Sequence, residues 1–165
     1  MIRLSFLIAC LILFESAQMP STTDWRGLSP LKSTRTDVER TLGRPDEIIG
    51  NETVTYCFPD MVVYFSFSSN PNCQQKLPYT SWNVTSDTVT GIYVTFRPGP
   101  RVADTGIDLT KYKKIEVGGD LLDRYAYWNA DDSFGIEVGN GYLAGYHYQL
   151  GTRHRDLRCE PSKQR

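Results

Sequence analysis

Short runs in which apolar and polar residues alternate constrain this chain most. Val54-Thr55-Tyr56-Cys57-Phe58, Val63-Tyr64-Phe65-Ser66-Phe67 and Ile92-Tyr93-Val94-Thr95-Phe96 all repeat with period two. A strand throws successive side chains to opposite faces, so such a run hides one face and wets the other. Pro59-Asp60 turns the chain between the first two runs, which predicts a hairpin. In the third run Ile92, Val94 and Phe96 share one face, with Tyr93 and Thr95 on the other. Three more runs follow: Tyr125 to Trp128, Phe134 to Val138, and Tyr142 to Gln149. Asn140-Gly141, before the last of them, suits the two positive φ angles of a type I′ turn. The expectation is an antiparallel sheet with one apolar face.

Two segments read as helices to cover that face. From Thr34 to Leu42 the N-cap residues Ser33 and Thr34, Asp37 in the first turn and the Val38/Leu42 pair predict a short helix, which Gly43 and Pro45 stop. Ile107 to Lys114 reads as a second short helix ended by Gly118-Gly119. The expected class is therefore α+β, an antiparallel sheet with short helices packed on one face. Residues 34–97 and 108–149 read as two tandem helix-β-β-β units sharing that sheet.

The first residues read as an address. Arg3, the apolar stretch Leu4 to Phe14 and the small pair Ser16-Ala17 form a signal peptide, residues 1–17, ahead of a single domain over 18–165. A run of that length cannot cross a bilayer, for which about 20 apolar residues are needed. No transmembrane segment is expected after cleavage. Leu7-Ile8-Ala9-Cys10 has the look of a lipid-attachment box, but the apolar run continues past Cys10, which favours cleavage after Ala17. Cleavage removes Arg3 and Glu15 and leaves the net charge at −1. A near-neutral chain with scattered Lys and Arg lacks the basic footprint of nucleic-acid binding. The expected location is periplasmic or extracellular.

Export brings the cysteines into an oxidising compartment. Cys73 lies in a polar loop and Cys159 in a polar tail, so these two are the expected disulfide. Cys57, inside an alternating run, is then expected as a buried small hydrophobe. A reactive Cys57 is the alternative.

Ser68 to Asp87 is rich in Asn, Pro, Ser and Gln and has no periodicity, which predicts a long loop. Its Tyr79 and Trp82 either anchor a partner or pack down to fix the loop. Tyr142, Tyr146 and Tyr148 share one face of the last strand with Ala144. Such a tyrosine ladder is either a binding surface or the rim of the core.

Gly27-Leu28-Ser29-Pro30-Leu31-Lys32-Ser33-Thr34-Arg35-Thr36-Asp37-Val38-Glu39-Arg40-Thr41-Leu42-Gly43-Arg44-Pro45-Asp46 joins a capped helix, a Leu-Gly-x-Pro stop and the entry to a hairpin. Over residues 27–67 the chain resembles exported outer-membrane assembly lipoproteins of the SmpA/OmlA type and the β-lactamase-inhibitor-protein-like fold. That resemblance implies a non-enzymatic envelope protein that binds other proteins through its sheet or loops.

Chemistry-bearing motifs are sparse. The histidines are His147, in the last strand, and His154, in a basic tail segment. No nucleophile elbow accompanies them. Asn129-Ala130-Asp131-Asp132-Ser133 has alternate oxygens like a calcium loop, but Gly135 falls one place late and position twelve is Asn140, so a hairpin turn is expected. No Cys/His spacing fits zinc, and no Gly-rich turn fits phosphate. Asn51-Glu52-Thr53 and Asn83-Val84-Thr85 match the glycosylation sequon and read as incidental in a bacterial protein. The reading is an exported binding module without cofactor, whose partner is another envelope protein and whose candidate surface is Tyr142, Tyr146, Tyr148 and Trp82. The alternative is a small periplasmic hydrolase using His147.

Overall fold

Thr34 starts the first regular element as its chemistry dictates. Its hydroxyl accepts from the Asp37 N–H at 3.3 Å, while the Asp37 carboxylate accepts from the Thr34 N–H at 2.8 Å. This reciprocal capping box begins α1, Arg35–Leu42. Gly43 ends it at φ +82°, a left-handed angle that favours glycine. A short helix with one narrow stripe needs a larger surface to lie on, and Val38 is fully buried against the sheet core.

The computed structural model describes residues 21–69, 71–73, 81–117 and 123–159. The expected signal segment, Tyr79 and Gly118-Gly119 lie outside the described residues. The strands are β1 Glu47–Ile49, β2 Thr53–Cys57, β3 Met61–Phe67, β4 Val89–Phe96, β5 Lys113–Glu116, β6 Arg124–Trp128, β7 Phe134–Gly139 and β8 Tyr142–Gln149. They form one eight-stranded sheet in the order β1-β2-β3-β4-β8-β7-β6-β5, with antiparallel pairing throughout. The order is that of two four-stranded meanders joined at the centre by β4 and β8. Asn140 and Gly141 take φ of +52° and +79° in the β7–β8 turn, as the type I′ reading requires.

The expected α+β class is corrected to a mainly-β fold. Among the described residues α1 is the one α-helix, joined by short 3₁₀ turns. The second expected helix is instead a single 3₁₀ turn, Leu109–Lys111, whose start Asp108 caps by accepting from the Thr110 N–H at 3.1 Å. A short aspartate side chain competes well with helical hydrogen bonding, and the next residues pair with β6 as the edge strand β5. Lys113 and Lys114 there mark an edge kept from further pairing by charge. Each four-stranded meander also has one strand more than expected. β1 and β5 are short and exposed at every residue, so neither shows the alternation that betrays a half-buried strand.

One sheet face is the core. Phe65, Ile92, Tyr148 and Phe134 lie directly opposite one another across β3, β4, β8 and β7, all buried. Irregular chain covers most of this face. Trp25 packs on Phe65 with centroids 5.9 Å apart, Leu28 and Val38 follow, and Val102, Ile107, Leu109 and Tyr112 cover the other half. The coverage that two helices were expected to supply comes from one helix and these loops.

Cys73 and Cys159 are joined in a disulfide spanning 86 positions. Cys57 is exposed at the end of β2, which corrects its expected burial. Alternation places Cys57 opposite Val54 and Tyr56 in parity, on the face where Thr55 is buried, so its exposure comes from its place at the strand's end. No helix among the described residues is long and apolar enough to cross a membrane.

Candidate functional site

The second sheet face carries a row of residues set directly opposite one another. The registers run Thr55 to Tyr64, Tyr64 to Tyr93, Tyr93 to His147, His147 to Gly135, Gly135 to Trp128 and Trp128 to Lys113, from β2 across the sheet to β5. Tyr64, Tyr93, His147 and Trp128 are all half-buried, neither in the core nor fully free. Gly135 makes the row continuous: a Cβ there would stand 2.9 Å from the Trp128 ring, so its absence lets the indole lie flat over β7 toward His147.

His147 is held between aromatic edges. Its ring meets Tyr93 at 5.1 Å and 89°, and Trp128 at 5.7 Å and 64°. Its Nε2 donates to the Glu137 carboxylate at 3.2 Å, and Arg124 donates to the other oxygen of the same carboxylate. The His147 hydrogen bond, reinforced by the Arg124 charge, holds the Glu137 carboxyl below its ordinary value despite partial burial. Desolvation raises the Tyr93 phenol, which stays neutral at physiological pH. The cluster thus offers rigid rings, one imidazole and one fixed carboxylate.

Beside this row, at the end of β8, lies a groove of roughly 300 Å³. Its floor is the register row Thr53, Ser66, Gly91 and Gln149. Tyr93 forms one wall and Trp82 another, with Glu52 and Arg158 also on the rim. The Cys73–Cys159 disulfide lies next to the far wall, one residue along the chain from Arg158. It ties the tail to the segment after Cys73, where the Asn83 N–H donates to the Leu157 carbonyl at 2.6 Å and the Cys159 N–H to the Ser81 carbonyl at 2.9 Å. Trp82 and Arg158 are bridge partners in that clip, with the guanidinium 5.4 Å from the indole centroid.

The residues expected to form one surface are not brought together. Trp82 is half-buried on the groove wall. Tyr142 is 44% exposed, at the opposite end of β8 from the groove and beside the Arg101 guanidinium. Tyr146 and Tyr148 lie in the core, and burial pushes the Tyr146 phenol up to about 12 and raises that of Tyr148 as well. The tyrosine ladder is therefore the inner side of the sheet at these two positions. Alternation sets them on the face opposite His147, and the register opposite Ile92 and Val94 puts that face inside.

Tyr64, Tyr93, Trp128, Glu137 and Gln149 went unread as site residues. The signal was there in part, since Tyr93 has the opposite parity to Ile92 and Val94. Which strands lie side by side, and hence which rings meet, has no local signature. The Asn129 to Ser133 segment forms a turn whose oxygens bond to its own chain: Asn129 accepts from the Ser133 and Phe134 N–H groups at 2.9 and 3.1 Å, and Asp131 accepts from the Ser133 hydroxyl at 2.6 Å.

No family model and no curated protein matches the chain. Among solved structures, a DUF4309 family protein (YjgB) from Bacillus subtilis subsp. subtilis str. 168 is similar, with a TM-score of 0.51, 15% identity, and coverage of 81% of this chain and 88% of that one. At that identity the likeness concerns the fold alone. The resemblance to SmpA/OmlA-type lipoproteins has no matching family model behind it.

Proposed function

We propose that this protein is an exported, non-enzymatic binding module of the bacterial cell envelope that captures another envelope protein through the sheet face opposite its core. The observation that carries the reading is the half-buried row of Tyr64, Tyr93, His147 and Trp128 on the sheet face turned away from the core cluster. Rings already fixed by strand register and by edge contacts lose little entropy on binding, which is what anchor residues of an interface need. Glu137 and Arg124 supply a paired charge at the edge of the row. The disulfide and the apolar amino terminus support an oxidising address outside the cytosol.

The test is a photo-crosslinking residue placed at Tyr64 in the producing cell, with Thr36 on the exposed side of α1 as the control position. The expected result is one discrete protein adduct from position 64, lost in the Trp128→Ala background and absent from position 36. Equal labelling at both positions, or none at 64, overturns the reading.

The His147–Glu137 contact favours a second reading, in which the oriented imidazole is a general base for hydrolysis. Turnover of an ester or amide substrate panel by the purified protein, abolished by His147→Ala and retained in Trp82→Ala, supports that reading; no turnover above buffer rejects it.

A further inference from the structure

We infer that the groove between Tyr93 and Trp82 is a binding site for a neutral saccharide. A sugar ring has an apolar C–H face and a rim of hydroxyls, so its site needs flat aromatic surface beside dense hydrogen-bonding groups. The groove has both: two aromatic walls, a floor of hydroxyl-bearing and amide-bearing residues, and Gly91, over whose bare Cα the Tyr93 ring lies, a Cβ there coming 3.1 Å from the ring. Its volume of roughly 300 Å³ is at the small end of ligand sites and suits one or two sugar rings.

The polar groups are pre-set. Gln149 donates its amide N–H to the Asp132 carbonyl at 2.8 Å, which fixes the amide and leaves its oxygen as an oriented acceptor. Glu52 is held by the Ser69 hydroxyl, and Arg158 by its place over the Trp82 ring. These charges are opposite, so the rim carries no net field that would select an anion. A phosphate or carboxylate ligand would face Glu52, whereas a polyol hydroxyl donates to the carboxylate and accepts from the guanidinium.

Tyr93 belongs to both sites, but this inference does not rest on the partner-binding reading, because the residues that test it, Trp82 and Gln149, lie outside that row. The mature protein is titrated calorimetrically with maltotriose, cellotriose, xylotriose and chitotriose, and with sialyllactose and inorganic phosphate as anionic probes. At least one neutral trisaccharide is expected to bind in the millimolar range or tighter. Trp82→Ala and Gln149→Ala are each expected to weaken it roughly tenfold, as loss of a stacked ring or a fixed acceptor does. Trp82→Phe restores most of the affinity, which separates lost stacking from lost folding, and Thr36→Ala, on the exposed side of α1, leaves it within about twofold. Absence of binding by every neutral probe, binding of the anions only, or equal weakening by Thr36→Ala overturns the proposal.

Discussion

His147 on β8 donates from Nε2 to Glu137 on β7 at 3.2 Å, and the two side chains are 25% and 19% exposed on the sheet face opposite the core. The bond crosses diagonally between neighbouring strands, since Glu137 stands directly opposite Gly145 and not opposite His147. A histidine and a carboxylate on neighbouring strands thus form the polar centre of the aromatic row.

This contact gives stability a pH dependence. The folded-state pKa of Glu137 lies below the ordinary 4.5, chiefly through the His147 hydrogen bond. Its contribution is therefore complete above about pH 4.5 and disappears as the pH falls through the lower folded-state value. Urea midpoints measured at pH 6 and pH 3 are expected to differ less in Glu137→Gln than in the parent protein. An unchanged difference would show that the carboxylate is uncoupled from folding.

Two glycines on neighbouring strands are expected to respond differently to alanine. At Gly145 a Cβ would lie 2.1 Å from the Val94 carbonyl oxygen, where backbone at the join of the two meanders must move. Gly145→Ala is expected to cost about 3 kcal/mol or more in chemical unfolding. At Gly135 the obstacle is the Trp128 ring at 2.9 Å, a half-buried side chain that can turn away. Gly135→Ala is expected to cost about 1 kcal/mol and to alter the near-ultraviolet dichroism of the indole.

Loss of the Cys73–Cys159 bond frees a closure spanning 86 positions. By the chain-entropy argument Cys159→Ser is expected to lower stability by about 3 to 5 kcal/mol. Because the same bond anchors the Trp82–Arg158 bridge, amide exchange at Asn83 and Cys159 in the parent protein should accelerate on reduction before the sheet opens. Simultaneous exchange of these amides and of β4 would contradict that order.

Cys57 is exposed at the end of β2, with its backbone N–H donating to Asp46 at 2.7 Å. A maleimide probe is expected to label it in the native protein without denaturant, with peptide mapping as the readout. Labelling that requires urea would restore the buried reading.

Much of the strand content was legible because period two is a local signal. β2, β3, β4, β6, β7 and β8 all fall on alternating runs, and the Thr34 cap, the Gly43 stop and the Asn140-Gly141 turn rest on chemistry carried by neighbouring residues. β1 and β5 were not legible, because an exposed three- or four-residue edge strand is defined by its partner's hydrogen bonds and hides no face. The segment from Ile107 to Lys114 misled for the same reason: one apolar spacing fits a helix, whereas Leu109–Lys111 is a 3₁₀ turn and pairing with β6 makes a strand from Lys113 onward.

Alternation by itself determined that His147 and Tyr93 stand apart from Tyr146, Tyr148, Ile92 and Val94 in the faces they serve, because successive side chains on a strand must point opposite ways. Tertiary structure decided which of the two sets is inside. Register places Tyr148 beside Ile92 and Phe134, and Trp25, Val38 and Leu109 close over that side. A slip of one residue in β8 would exchange the two faces, and nothing within β8 forbids it; the covering segments and the neighbouring strands supply the free energy that does.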